Sequence, residues 1–142
     1  MDYSKLADEF LMLMHLLRRL KPQLKITESM HGEAFALYHI AARGEHMIPS
    51  EISSAVGISG ARIAATLNSL ENKGFITRQI DPSDRRRILV TLTETGKKQE
   101  ETRRRQLSET IEKIMRQLGE HDAKEYIRIT RKIAELAQME EN

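Results

Sequence analysis

Three consecutive arginines, Arg85, Arg86 and Arg87, directly follow Asp84. Guanidinium groups offer planar forks of donors that fit carboxylate and phosphate oxygens, so such a run points to anion recognition rather than to bond-breaking chemistry. The Asp84 carboxylate lies two residues from Arg86, close enough to pre-order that long side chain and lower its entropy cost on binding. A second run, Arg103 to Arg105, follows Glu100 and Glu101 in a helical pattern, where pairing at i, i+4 on an exposed face is expected. The chain has no cysteine, which excludes disulfides, thiolate zinc sites, cysteine nucleophiles and thiol redox sensing. Five histidines, His15, His31, His39, His46 and His121, show neither HxxxH nor HxH spacing, so neither a metal site nor a cofactor is expected. No nucleophile with a base, paired carboxylate site or glycine-rich phosphate loop stands out, and an enzyme is not expected.

At 142 residues, 39% hydrophobic and 31% charged, the chain has enough apolar material for one compact domain with a charged surface. The net charge of +2 hides an uneven distribution. Between Lys73 and Arg105 ten cations stand against five carboxylates. No apolar run approaches the roughly 18–20 residues of a membrane span, and the start of the chain lacks a basic lead and apolar stretch, so a cytoplasmic protein is expected.

The elements that position these residues are legible from periodicity. Leu6, Phe10, Leu13, Leu17, Leu20 and Leu24 step by four and three, a helical stripe that needs a partner and that Pro22 should end or bend near Leu20 to Lys21. Helices are predicted from Gly32 to Arg43, from Pro49 to Val56, and from a Ser59 cap to Lys73, with Gly44, Gly57 and Gly74 as stops. In the last of these, Ile63, Leu67 and Leu70 share one face, and Ala61, Arg62, Ala65, Asn68 and Ser69 the other. Phe75 to Ile80 and Ile88 to Leu92 read as two strands joined by an exposed loop from Asp81 to Arg87. Thr93 is placed to cap a long helix reaching Leu118, and a final helix runs from Asp122 to Met139. The fold class is therefore mainly α with a small β-hairpin, a winged helix-turn-helix lobe plus a helical dimerisation region.

That order suits DNA. A recognition helix presents its first turns to base edges in the major groove, and small residues let its backbone approach. Ser59, Gly60, Ala61, Arg62, Ala65, Thr66 and Ser69 are the candidates there. Ser83, Asp84, Arg85, Arg86 and Arg87 form the candidate wing, whose guanidinium groups suit the negative potential of a narrow minor groove.

The segment Asp81 to Gly96, DPSDRRRILVTLTETG, resembles the wing and following helix of the MarR family, and Ile48 to Ile76, with SEISSAVGIS and LENKGFI, is similar to its helix-turn-helix. The resemblance spans nearly the whole chain as one domain, 1–142, with a DNA-binding lobe at about 32–93 and dimerisation helices at about 4–24 and 94–140. It implies a homodimer on a pseudo-palindromic double-stranded DNA site, Arg86 in the minor groove, and a repressor released by a small amphipathic or phenolic effector near His15, Met30, His31 and Tyr38. Two other readings are a winged-helix module that binds protein, and a metal-responsive regulator of the same fold.

Overall fold

The computed structural model describes residues 1–141. In chain order the elements are α1 (Tyr3–Leu17), α2 (Lys21–Ser29), α3 (Gly32–Arg43), α4 (Pro49–Val56), α5 (Gly60–Asn72), β1 (Ile76–Asp81), β2 (Asp84–Leu92), α6 (Glu94–Leu118) and α7 (Glu120–Glu140). They fall into a larger unit, Met1–Arg105, and a smaller one beginning at Gln106.

The core lies in the larger unit. Ala36, Leu37 and Ile40 of α3, Ile52 of α4, Ile63, Leu67 and Leu70 of α5, Ile76 of β1 and Val90 of β2 are all buried, as the 3.6-residue and two-residue periods require. Met47 joins them and exchanges backbone hydrogen bonds with Val90, at 3.0 and 2.8 Å, so the segment before α4 is stitched to the wing.

Three elements differ from the expectation. The Leu6 to Leu24 stripe is not one helix: α1 stops at Leu17, and Pro22 sits in the first turn of a separate helix, α2, which the sequence reading did not separate. Proline costs nothing there, because a first-turn amide has no intrahelical partner. The arginine run is not in a loop. Strand β2 begins at Asp84, so Arg85 to Arg87 are strand residues and the turn shrinks to Asp81–Asp84. The Asp81 carboxylate makes this tight turn by accepting from the Ser83 amide (2.9 Å) and hydroxyl (2.7 Å). Third, Glu100 is buried and meets Arg103 at i, i+3 rather than on an exposed face. It shares a helix face with the buried Gly96, so the first turns of α6 face the lobe.

The cap of α6 is as expected: the Thr93 hydroxyl oxygen accepts from the Gly96 amide at 3.0 Å. Thr93 also donates its own amide to the Phe75 carbonyl (3.1 Å) and its hydroxyl to the Gly74 carbonyl (2.5 Å). A side chain at Gly96 would fall on the Phe75 carbonyl, with Leu92 Cδ2 3.1 Å away, so only glycine fits this seam. By contrast α1, α2 and α7 bury no residue. Among the described residues no helix is long and apolar enough to cross a membrane.

Candidate nucleic-acid interface

The turn between α4 and α5 is built by Gly57 and Ser53. Gly57 takes φ 76°, where a side chain would be strained. The Ser53 carbonyl accepts from the amides of Gly57 (2.9 Å) and Ile58 (3.2 Å), while its hydroxyl donates to the Ile58 carbonyl (2.5 Å). Ser59 then caps α5 by accepting from the Arg62 amide at 3.4 Å. With Ile63, Leu67 and Leu70 inward, the line farthest from the core runs through Ala61, Ala65, Asn68 and Asn72, and all four are exposed.

Gly60, Ala61, Arg62 and Ala65 are thus brought together on one open face. Thr66 and Ser69 stand at its edge, half-buried, with their hydroxyls engaged. Thr66 donates to the Arg62 carbonyl at 3.0 Å. Ser69 is hydrogen-bonded to Glu33, which also takes the Lys73 ammonium at 2.6 Å. Burial pushes the Glu33 carboxyl upward, but the Lys73 and Ser69 hydrogen bonds outweigh it and hold the group below its usual range.

On the wing the three arginines have different surroundings. Arg86 donates from Nε to Asp84 Oδ1 (3.2 Å) and from Nη2 to Oδ2 (3.4 Å), and its amide donates to the same carboxylate at 3.1 Å. Its side chain is nevertheless 91% exposed, held in place yet open to solvent. Hydrogen bonds from Arg86 hold the Asp84 carboxyl below the ordinary aspartate range. Arg87 is 46% exposed and lies 3.9 Å from Asp81 Oδ2, and its field also reaches Glu51. It neutralises protein carboxylates. Arg85 is exposed and makes no ion pair among the described residues.

A contact set that the sequence reading did not assemble joins wing to helix. Arg78 of β1 donates from Nη2 to Asn68 Oδ1 (2.6 Å) and from Nε and Nη2 to the Glu71 carboxylate (3.2 and 3.3 Å). Arg78 counted only toward the basic stretch, and its place opposite Val90 in the ladder is what aims it at α5.

The four effector candidates are spread over three elements and their ends. His15 is exposed on α1, Met30 closes α2, His31 opens α3 with Nδ1–H donating to the Thr27 carbonyl at 2.7 Å, and Tyr38 lies mid-α3. Tyr38 alone of these lines a cavity of about 380 Å³ beside the end of α3, walled also by Leu92, Lys97, Glu101 and Arg104.

Residues 29–87, which contain α3 to α5, β1 and the start of β2, match the model of the MarR family. This lobe belongs to the MarR family. The chain is 28% identical over 94 residues to an uncharacterized HTH-type transcriptional regulator, YcgE of Bacillus subtilis, covering 66% of this chain and 61% of that protein. It spans between two-fifths and about three-fifths of the length of the curated relatives it matches. Among solved structures, the YusO protein of Bacillus subtilis superposes with a TM-score of 0.74 at 24% identity, over 95% of this chain and 98% of that one. The transcriptional repressor CouR bound to a 23-mer DNA duplex gives 0.61 at 24% identity, over 70% of each chain. At these identities the likeness is one of fold, and the fold is the MarR-type winged helix.

Proposed function

We propose that this chain is a sequence-specific transcriptional regulator that binds double-stranded DNA as a homodimer, with α5 in the major groove and the wing against the adjacent minor groove. The observation that carries the reading is the pairing of an open, small-residue face on α5 with an exposed arginine on the wing that is already held by Asp84. A backbone flanked by Ala61 and Ala65 can approach base edges, and an arginine restrained before binding loses less entropy on entering a narrow groove. Dimerisation accounts for the other end of the molecule. Leu6, Phe10, Leu13 and Leu17 of α1, and Tyr126, Ile129, Ile133 and Leu136 of α7, are all exposed in the single chain. Rows this long are uncommon on a monomer surface and mark an interface, here with a second copy.

In this reading Ser59, Gly60, Ala61, Arg62 and Ala65 meet the DNA through α5, and Ser83, Arg85 and Arg86 through the wing. The regulator acts as a repressor released by a small amphipathic effector. The cavity beside Tyr38 has a size suited to such a molecule, and an occupant lowers DNA affinity only by preferring the DNA-incompetent arrangement. The deciding experiment is selection of bound sequences from random duplex DNA by the purified protein, followed by titration at several salt concentrations. A regulator enriches a pseudo-palindrome and loses affinity linearly in log salt. A protein-binding module enriches nothing and shows no salt-dependent duplex binding.

A further inference from the structure

Asn68 sits on the outermost line of α5, one helical turn beyond Ala65, where side chains are small and the helix backbone can come close to a partner. Its amide is not free to turn. A guanidinium group only donates, so the Asn68 atom 2.6 Å from Arg78 Nη2 is the carbonyl oxygen, and the NH2 group is left on the other side. Arg78 is itself fixed twice: by ladder pairing opposite Val90, and by its two hydrogen bonds to the Glu71 carboxylate. Those bonds hold the Glu71 carboxyl below its usual range, so the clamp stays charged at neutral pH.

We propose that Asn68 is a specificity-determining residue that reads guanine in the major groove as a donor only, and that Arg78 is the positioning residue that fixes its amide. The proposal rests on the DNA-binding reading above. An unrestrained asparagine suits adenine, whose edge asks for one donor and one acceptor. With its oxygen turned to Arg78, Asn68 offers two N–H groups and matches the paired acceptors O6 and N7 of guanine. Adenine would set its N6 amino group against the outward NH2, donor against donor. The neighbouring hydroxyls do not compete, because Thr66 donates within α5 and Ser69 is bound to Glu33.

The test compares sequences selected from random duplex DNA by the full-length wild-type protein, Asn68→Ala and Arg78→Met, with thermal melting of each. Wild type is expected to enrich a guanine at one position of each half-site. Asn68→Ala, a change at an exposed residue, should lose that preference and bind the selected duplex about tenfold more weakly, with other positions unchanged. Arg78→Met should keep binding but accept adenine at the same position, since the freed oxygen can take a proton from N6. A purely structural clamp would lower melting temperature and weaken all duplexes alike, which overturns the proposal. So does an Asn68→Ala protein that keeps the wild-type guanine. If the wild-type protein itself enriches no sequence, the regulator reading fails and this inference with it.

Discussion

Gly96→Ala is expected to destabilise the protein although it replaces a glycine in a helix. In an open helical position that exchange gains about 1 kcal/mol, because alanine loses less backbone entropy on folding. At Gly96 the new methyl would overlap the Phe75 carbonyl, a backbone group that cannot rotate aside as a flexible side chain would. Moving it costs about 1–3 kcal/mol, the usual range for overpacking, and disturbs the amide of Thr93 that donates to the same carbonyl at 3.1 Å. The Thr93 cap, which accepts from residue 96 at 3.0 Å, is worth about another 1 kcal/mol. The net expectation is a loss of about 2 kcal/mol. Urea unfolding at fixed protein concentration reads this as a midpoint lower by about 1 M with unchanged slope. Gly60→Ala is the control, since Gly60 has nothing within 4 Å of an added methyl and an ordinary φ. If Gly96→Ala moves the midpoint upward with Gly60→Ala, the close approach of α6 to Phe75 is not real in solution.

On the wing, Arg86→Ala should reduce the slope of log affinity against log salt by about 1, measured by fluorescence anisotropy on a selected duplex. Asp84→Asn leaves Arg86 in place but releases it, and adds positive charge. Binding to random DNA should tighten while the ratio of specific to random affinity falls, as competition titration would show. Phe10→Asp and Ile133→Asp place charge on residues more than half exposed in the single chain, so a monomer would tolerate them. Sedimentation should instead report loss of the dimer, and DNA affinity should fall with it. For acid stability, hydrogen bonds hold the carboxyls of Glu71, Asp81 and Asp84 below their usual ranges. Lowered folded values mean that their contribution is complete above the unfolded pKa of about 4 and disappears as pH falls through the folded values. Melting temperature should therefore hold from neutral pH to about 5 and drop only below about 4.

Helix boundaries marked by glycine, proline or a capping hydroxyl were legible to within a residue or two, as at Gly32–Arg43, Pro49–Val56 and the Thr93 cap. These signals are local, and the backbone has little choice at them. The break between α1 and α2 was blurred because the apolar stripe continues in phase across it, so periodicity alone could not reveal that the backbone leaves the helix at Arg18. The arginine strand was read as a loop because charge and exposure resemble a loop's. Its ladder is specified by the partner strand, with Ile80 opposite Ile88, which no single-strand pattern shows. Within the site the Asp84 and Arg86 pairing came from adjacency, and the structure places them in contact. The Arg78 clamp on Asn68 and Glu71 depends on how β1 lies against α5, a tertiary matter without a short-range signature.

One feature of the seam bears on signalling. Strand β2 ends at Leu92 and α6 begins at Glu94, so a single residue, Thr93, separates the wing from the long helix, and that residue is tied on both sides. A joint of this kind has no slack in which a small rotation could be absorbed. Any turn imposed on the first residues of α6, near the cavity walled by Lys97, Glu101 and Arg104, is delivered to the arginines of β2 as movement rather than lost as bending. The wing is in effect the pointer of a gauge whose spindle is α6, and the stiffness of one threonine sets how faithfully it reads.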